Sequence, residues 1–554
     1  MQRSHCQGPP GWRDLGNAIA ALVSSYFFED GALQSRKYAD YPADQGGYAS
    51  VNRPLITGSR ESLVFDVNRW QPLVITNAVS QNGIPVDAIQ KFVGAQWKWV
   101  RPFALSRQDS NLPWIDPGPP PQLGGVGNQQ VVDEVVDIIR RSGELTPDDG
   151  VLLDISPKSW GNSTLGKNDG TGYTMNPATG APYSPNRVKR GDFTRVLAEY
   201  WADGPSSETP PGHWNVVANL ATDSPSLVKK IGGTGPVVDD LEWDVKLYFA
   251  MNAAVHDAAC AAWSLKRHYD GYRPIALIRY MAMLGQSTDP SGITYHPRGL
   301  PLVPGLIEEV TAASASFEQR HFTLPIGEIA IKAWPGQPAD TTNNYSGAKW
   351  MLAVDWLPYQ RANFVTPAFP GFISGHSTFS RAAAEVLTSF TGSAYFPGGL
   401  GKKSLPANAF LAFEKGPSEP VELQWATYYD AADQAGLSRI WGGIHVSVDD
   451  LTGRKVGSQV GKTVWSLAKG YFDGSILAVP VAITMIPANA FECETRFNTL
   501  RGMYYKLQHT KELGLPFEDE ALGWFRATES EQVRLDSVVG LQRFFRVQTS
   551  VRPE

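Results

Sequence analysis

Cysteine is scarce in this chain, with only Cys6, Cys260 and Cys493 among 554 residues. That number excludes a disulfide-rich scaffold, and whether any pair is bridged stays open. Long hydrophobic runs are missing as well. The most apolar stretch, near residues 476–486, is interrupted by Pro480. We therefore expect no membrane-spanning helix and no membrane as a partner.

Basic tracts, internal repeats and a secretory signal are also missing from the sequence. The 49 lysines and arginines are outnumbered by 55 acidic residues, which gives a net charge of −6 and argues against nucleic acid as a partner. The mildly apolar segment 18–28 runs directly into Glu29 and Asp30, so we expect no signal peptide, and the cellular compartment stays open. The composition, 42% hydrophobic and 19% charged, is typical of a folded, soluble protein.

The most informative stretch runs from Phe364 to Leu387. Prolines and glycines between positions 367 and 375 favour a bent approach, and an alanine-rich run at helical spacing follows. Ser374 and Gly375 are thus predicted at a helix N-terminus, where free N–H groups and the helix dipole favour an anion. His376 falls in the first turn. Taken alone, a capped helix with a chance histidine explains this pattern equally well.

Two cations lie earlier in the chain. Lys266 and Arg273 stand seven residues apart, nearly two helical turns, which predicts both on one side of a helix, with Trp263 one turn before Lys266. Taken alone, such a pair is more typical of a solvated helix face.

A third stretch combines a cation with a second histidine. Arg439 precedes a Gly-Gly bend, and His445 is predicted to open a helix with Asp449 one turn later. At that distance the carboxylate can orient the imidazole. Taken alone, a histidine near glycines is usually a structural residue.

Together the three stretches resemble, in order, the triple signature of the vanadium haloperoxidase and type-2 phosphatidic acid phosphatase superfamily. That signature is Lys, six residues and Arg-Pro; then Ser-Gly-His; then Ser-Arg, five residues, His, three residues and Asp. Every fixed residue is present here. The usual proline before Ser-Gly-His is Ile373 in this chain, which concerns the shape of the loop rather than the chemistry. The resemblance covers most of residues 60–470.

The residue types themselves suit one kind of ligand. A tetrahedral oxyanion needs fixed donors on all sides, and this set offers an ammonium, two guanidiniums, a hydroxyl and a backbone N–H. These donors belong to Lys266, Arg273, Arg439, Ser374 and Gly375. Because buried cations that converge without an anion repel one another, we expect an anion to be part of the folded design.

The resemblance implies a role for each residue. In the haloperoxidases vanadate stays bound as a cofactor, which puts His445 on the metal as axial ligand and Asp449 behind it. Hydrogen peroxide adds to the metal, His376 assists its deprotonation as the acid–base residue, and Lys266 polarises the bound peroxide for attack by halide. The rest of the implied vanadate-binding set is Arg273, Ser374, Gly375 and Arg439.

Three further positions are implied around the cofactor. The helix stop at Tyr200–Pro205 resembles a place where haloperoxidases keep an acid, so Asp203 is the predicted partner of Arg439. Without the resemblance, Asp203 is a simple helix-ending aspartate. Trp263 and Phe369 match haloperoxidase positions beside the cofactor.

The resemblance implies one of two reactions at the same anion site. We predict a vanadate-dependent haloperoxidase, an oxidoreductase that uses hydrogen peroxide to oxidise halide to hypohalous acid, which then halogenates a small organic substrate. The alternative is a soluble acid phosphatase acting through a phosphohistidine, and a non-catalytic scaffold with a relic site is a third class. The lack of membrane spans, the length of the chain, Trp263 and the segment Pro367–Pro370 favour the peroxidase.

The preference for one halide over another is inferred from a single position, Phe369. Phe369 stands seven residues before His376, where the resemblance separates phenylalanine in chloroperoxidase-like members from histidine in many algal bromoperoxidases. A phenylalanine keeps the peroxide side drier and adds no titrating group, but bromide is intrinsically easier to oxidise than chloride. We expect efficient bromide oxidation and weaker chloride oxidation. The native organic substrate and the assembly of identical chains stay open.

The fold class predicted from periodicity is all-α, with helical bundles of the vanadium haloperoxidase type and long ordered loops. We predict a helical and loop-rich region at 1–240 packed on the core, a catalytic core at 241–472 and a C-terminal extension at 473–554. Residues 321–372 are expected to be irregular, and the last eighty or so residues to mix helix and loop. The predicted helices are 14–28, 129–147, 190–201, 240–268, 274–283, 306–318, 375–391, 428–436 and 447–472.

Overall fold

A computed structural model describes most of the chain, and it divides the protein into two units, Met1–Val464 and Trp465–Glu554. The described residues are 10–60, 64–107 and 109–478, followed by 483–487, 492–499, 503–512, 515–519, 523–527, 531–537 and 544–550. No helix within these ranges is long and apolar enough to cross a bilayer. The three-part division predicted from the sequence stays a prediction.

Helices dominate the first unit, which confirms the predicted fold class. Within the described residues they are α1 (Pro10–Phe27), α2 (Asn128–Gly143), α3 (Arg190–Tyr200), α4 (Pro210–Thr222), α5 (Asp240–Tyr269), α6 (Pro274–Leu284), α7 (Gly375–Thr391), α8 (Tyr428–Trp441) and α9 (Ser447–Asp473).

Local sequence explains where the central helices start and stop. Ser374 caps α7, its Oγ accepting a hydrogen bond from the amide of Ser377 at 3.3 Å, and Gly392 ends the helix in the left-handed region (φ 75°). Asp239 caps α5 in the same way. That helix ends at Asp270, which adopts a left-handed conformation (φ 52°) that aspartate tolerates.

Glycines let α9 lie directly on α7. A Cβ atom at Gly453 would stand 2.9 Å from the carbonyl oxygen of Ser374, and one at Gly457 only 2.4 Å from that of Thr378. Gly461, one turn further, would meet the Ala382 carbonyl oxygen at 2.6 Å. Because residues four apart share one helix face, this glycine stripe brings the two backbones into contact and positions the N-terminus of α7 beside the start of α9.

Short strands interrupt the helical body, and two sequence predictions fail there. Residues 306–318, expected to be helical, contain β5, and residues 321–372, expected to be irregular, contain β6 and β7, which pair as one antiparallel sheet. The sheet forms because Ile307 and Ile331 lie opposite each other, both fully buried. The strands of this unit are β1 (Leu55–Ile56), β2 (Leu73–Val74), β3 (Leu152–Asp154), β4 (Arg187–Lys189), β5 (Ile307–Glu309), β6 (Ile329–Ala333), β7 (Lys349–Leu352), β8 (Gly401–Leu405) and β9 (Val421–Trp425).

Helix α8 is longer than predicted. We expected it to end at Gly436, but it continues to Trp441, so Arg439 belongs to its last turn. A capping box between Thr427 and Asp430 starts the helix.

The described residues from 483 onward contain strands where a mixture of helix and loop was predicted, and the end of α9 also belongs to the second unit. Strands β10, β11 and β15 form one antiparallel sheet, and β12 pairs with β13, β14 and β16 in another. Phe497, Met503 and Tyr505 form its small buried core. The bounds are β10 (Ile483–Pro487), β11 (Glu492–Asn498), β12 (Tyr504–Thr510), β13 (Glu518–Asp519), β14 (Phe525–Arg526), β15 (Glu531–Ser537) and β16 (Phe544–Ser550).

Candidate active site

Lys266 and Arg273 converge on one loop, although not on one helix. The prediction that both lie on the same helix face is wrong, because α5 ends at Tyr269 and Arg273 stands outside it as the residue that precedes α6. Lys266 Nζ donates to the carbonyl oxygens of Pro370 and Gly371 at 2.8 and 2.9 Å. Arg273 Nε donates to the Phe369 carbonyl oxygen at 2.9 Å.

Arg439 enters the same region from the last turn of α8. It is buried, and its Nη1 donates to the carbonyl oxygen of Trp201 at 3.3 Å. Burial lowers the pKa of Arg439 to about 10, and the carboxylate of Asp203 opposes that shift.

His445 and Asp449 form the predicted pair, although α9 begins only at Ser447. The His445 Nδ1 and an Asp449 oxygen are 2.8 Å apart. A ring that donates from Nδ1 to a carboxylate keeps a lone pair on Nε2, as a metal ligand or a nucleophile requires. Burial and the surrounding cations, Arg273 first among them, hold the pKa of His445 well below its usual range, so the ring is neutral. In this structure that Nε2 atom lies 3.0 Å from Arg273 Nη1.

His376 lies in the first turn of α7, with its Nε2 3.7 Å from Asp203 Oδ2. Burial, aided by nearby Arg439, lowers the pKa of His376 to about 4 against the pull of Asp203. The ring is therefore uncharged near neutral pH and able to accept a proton. Asp203 itself has a left-handed backbone (φ 53°), and its other oxygen lies 2.7 Å from His213 Nδ1.

The structure thus gives Asp203 two histidine neighbours. Within the described ranges no ion pair joins it to Arg439, the partner expected from the resemblance, which donates to the Trp201 carbonyl oxygen instead.

Positive charge in this region lacks carboxylate partners. No ion pair to Lys266, Arg273 or Arg439 occurs among the residues that the structure describes. Burial lowers the pKa of Arg273 to about 9 and, with Arg273 next in importance, moves that of Lys266 well below its ordinary value. The lowered pKa values mean that keeping Arg273 and Lys266 charged costs free energy. A bound anion would recover that free energy.

The residues fit a tetrahedral oxyanion such as vanadate. Buried polar atoms that have no hydrogen-bond partner within the described residues include Arg273 Nη2, Arg439 Nε and His376 Nε2. Arg439, His376 and His445 line a cavity of about 290 Å³ together with Gly375. A Cβ atom at Gly375 would meet the Trp263 ring at 3.2 Å, so the position needs glycine at this close approach. Ser374 caps α7, with its Oγ 2.9 Å from Ser377 Oγ, and its role as a donor to the anion stays a prediction.

Aromatic rings cover the cations. The Phe369 ring centroid is 4.9 Å from Lys266 Nζ and 5.1 Å from Arg273 Cζ, and it packs 5.0 Å from the Trp263 ring. The Trp263 indole N–H donates to the carbonyl oxygen of Val93 at 2.9 Å. These rings reduce water access and so strengthen the electrostatic interactions beneath them.

Two buried residues around the histidines escaped sequence analysis. Glu134 of α2 accepts from the amide of Val448 at 3.0 Å, and burial, with Asp449 as a second cause, raises its pKa to about 8. His213 holds Asp203 and also lies 3.1 Å from the Tyr200 hydroxyl. Neither residue belongs to a motif, and only the fold brings them here.

Comparisons with known proteins agree with this geometry. Residues 246–474 match the family model of the VCPO second helical-bundle domain. This segment is therefore similar to that helical-bundle domain. It contains the three stretches on which the resemblance rests, from Lys266 to Asp449.

Solved structures extend the likeness of fold beyond that segment. An apo-type bacterial vanadium-dependent chloroperoxidase matches with a TM-score of 0.53 at 18% identity, over 83% of this chain and 74% of the other. The holo-type structure of a bacterial vanadium-dependent chloroperoxidase matches with a TM-score of 0.51 at 17% identity, over 82% and 72% of the two chains. No curated protein matches the sequence. At such identities the structures show a shared fold.

Proposed function

We propose that this protein is a vanadate-dependent haloperoxidase that uses hydrogen peroxide to oxidise halide and thereby halogenates organic molecules. The observation that carries the proposal is a set of buried cations, Lys266, Arg273 and Arg439, that have no carboxylate partner in the described part of the chain and surround two neutral histidines. Such a set is costly unless an oxyanion completes it. The domain family of residues 246–474 and the fold of bacterial vanadium-dependent chloroperoxidases support vanadate as that oxyanion.

Each residue has a role that its surroundings allow. His445, held by Asp449, would bind the metal through Nε2, and the guanidiniums of Arg273 and Arg439 would hold the oxyanion through charge-assisted hydrogen bonds. Bound vanadate would supply the Lewis-acidic centre that activates hydrogen peroxide for attack by halide. His376, neutral and 3.7 Å from Asp203, would accept the peroxide proton at Nε2. Lys266 donates two of its three N–H groups to carbonyls and retains one for the reacting oxygen.

A phosphatase remains the competing function because the same geometry serves it. A neutral His445 backed by Asp449 is also suited to attack phosphorus, and His376 to protonate a leaving group. Phosphate and vanadate share shape and charge, so the site alone does not separate the two reactions.

An assay of purified protein separates them. With vanadate, hydrogen peroxide and bromide, we expect bromination of a phenol dye well above the vanadium-free control. Rapid phosphate release from a phosphomonoester, with no halogenation above that control, would refute the peroxidase in favour of the phosphatase. The absence of both activities would leave a non-catalytic scaffold.

Bromide is the proposed preferred halide, with weaker turnover of chloride. Phe369 supports chloride oxidation in principle, because its ring excludes water close to Lys266, while bromide requires less oxidising power. Comparing turnover with the two halides at mildly acidic pH tests the ranking, and the Phe369→His variant tests whether this position sets it. Chloride turnover equal to or above that of bromide would overturn the ranking.

A further inference from the structure

A second, larger cavity adjoins the active site. This apolar groove, of about 590 Å³, is formed by segments 75–93 and 364–369. Four residues line both the groove and the active-site cavity, so one wall separates them: Gln81, Val93, Pro367 and Phe369. The volume of the groove is in the range of sites for drug-sized ligands.

Most residues that line the groove are apolar, although Ser80, Gln81, Asn82 and Gln90 add uncharged polar groups. The aliphatic and aromatic residues include Ile75, Val79, Ile89 and Phe364. Val86, Ile89 and Val93 leave about half or more of their surface exposed, at 52%, 51% and 62%. Scattered exposed apolar residues are ordinary, but a group of them around one concavity marks a binding site.

The two charged residues that line the groove are paired with each other. Lys91 and Asp87 both line the groove, and they pair with each other at 2.6 Å. Since each charge is already balanced, the rim offers no unpaired charge to a ligand from this pair. The groove therefore suits a neutral molecule with an extended apolar part.

Hydrogen bonds hold the groove and the active site in fixed relation. Gln90 donates to the carbonyl oxygen of Thr366 at 2.7 Å, and the amide of Val93 donates to that of Ala368 at 2.9 Å. The Val93 carbonyl in turn accepts from Trp263. The segment that forms the groove wall thus continues into the Phe369–Gly371 carbonyls that bind Arg273 and Lys266.

We propose that this groove binds the organic substrate, a neutral phenol with an apolar chain, and places its ring at the wall shared with the active site. The inference rests on the proposed haloperoxidase function. Hydrogen peroxide, bromide and a proton give hypobromous acid and water. At the ring a C–Br bond forms and a C–H bond breaks, and the released proton combines with the departing hydroxide as water.

Competition between two phenols tests the groove. 4-Methylphenol and 4-hexylphenol react with free hypobromous acid at nearly the same rate, because they differ only in the length of an apolar chain. With vanadate-loaded enzyme we expect a preference for 4-hexylphenol of about tenfold or more, since the longer chain buries more apolar surface. Equal bromination of the two phenols by the enzyme would overturn the proposal.

A matched pair of variants locates the effect. Ile89 lines the groove and is half exposed, whereas Ile293 is fully exposed and outside it. The preference should disappear in Ile89→Lys and persist in Ile293→Lys, which should brominate both phenols at the wild-type rate. A preference that survives in Ile89→Lys would also overturn the proposal.

Binding without vanadate separates this inference from the proposed function. Calorimetric titration of vanadium-free protein with 4-hexylphenol should show a site that Ile89→Lys loses and Ile293→Lys keeps. Failure of all halogenation beside this binding result would refute the haloperoxidase but retain the groove as a site for an apolar phenol. Halogenation without such binding would refute the groove alone.

Discussion

Two sets of buried arginines in the first unit differ in how their charge is balanced. Arg195 lies 2.6 Å from Asp192 and 2.9 Å from Glu414. Burial alone would lower its pKa, but Tyr359 and these carboxylates raise it above the ordinary value. In the other set, Arg273 and Arg439 contact backbone carbonyls instead, and burial lowers their pKa to about 9 and 10.

This difference in charge balance distinguishes a structural arginine from one suited to bind a ligand, although the side chains are chemically identical. The charge of an arginine that pairs with buried carboxylates is balanced once the chain has folded. An arginine that donates only to neutral carbonyls, with further N–H atoms unpaired, is complete only with an external anion. Variants that disturb either set of arginines should therefore differ in stability and in anion binding.

Loss of His445 should have the largest effect on the anion site. We expect His445→Ala to reduce vanadate retention by more than roughly 100-fold, because even changes behind a metal ligand cost 10–100-fold in affinity. His376→Ala should retain most of the vanadate and lose turnover. Equilibrium dialysis with metal analysis measures retention, and wild-type retention in His445→Ala would contradict the assignment of the axial ligand.

Breaking the internally balanced set should unfold the protein more easily. Glu414→Gln leaves Arg195 with one fewer buried carboxylate, and removal of one partner of a buried pair costs about 3–5 kcal/mol. Urea unfolding measures the change. The matched control is Glu419→Gln, since Glu419 pairs with Lys189 at 3.3 Å but is 66% exposed, where a change below about 1 kcal/mol is expected. Equal effects of the two variants would contradict the contrast.

Removing a cation from the anion site should weaken vanadate binding without lowering the stability of the vanadium-free protein. Arg439→Met should leave the stability of vanadium-free protein within about 1 kcal/mol of wild type, or raise it, because an uncompensated buried charge is lost. Vanadate affinity should fall by about 2–3 kcal/mol through lost charge-assisted hydrogen bonds.

Melting temperatures with and without vanadate measure both effects. Wild type should be stabilised by vanadate, and phosphate should compete with it. A large loss of stability in vanadium-free Arg439→Met would show that this arginine is structural.

The smallest expected change in stability concerns Asp433, one of two carboxylates that pair with the buried Arg454. Arg454 pairs with both Asp433, at 3.0 Å, and Asp450, at 2.6 Å. Burial, opposed by Arg454, raises the pKa of Asp433 to about 6. An acid whose pKa is raised on folding stabilises the fold below its unfolded pKa, and that contribution is lost as pH rises through the folded value.

Wild type should therefore lose roughly 2 kcal/mol of stability between about pH 4 and pH 6 through this group. Asp433→Asn should lack that loss while Asp450 still balances Arg454. Melting temperatures of both proteins across this pH range provide the measurement. Parallel curves would contradict the assignment.

The helices that carry the site were predicted more accurately from the sequence than the residues that surround it. The helix that follows Ser374 was predicted with its bounds, because capping, alanine content and a closing glycine are local signals. The pair His445–Asp449 was predicted from its spacing of one helical turn, although α9 begins only at Ser447. In contrast, the role of His213 depends on α4 folding back onto the end of α3, and no local pattern contains that information.

The strands show the same limit. Ile307 and Ile331 pair across a long connection, and each segment is too short to carry a clear period. In the second unit, β11 pairs with β15 across more than thirty residues that include β12, β13 and β14, and no local pattern specifies a pairing over that distance. Lys266 and Arg273 lie close together, as predicted. The predicted cause was wrong, because a loop rather than a shared helix face brings them together.

The glycine stripe of α9 sets a spacing between α7 and α9 that side chains do not control. His376 follows the cap of α7, and Asp449 lies in the first turn of α9. With Gly453 and Gly457 against α7 carbonyl oxygens, the two helices meet main chain to main chain. Substitutions around Phe369 or along segment 75–93 would therefore alter the proposed halide and substrate contacts while the distance between the backbones of His376 and Asp449 stays constant.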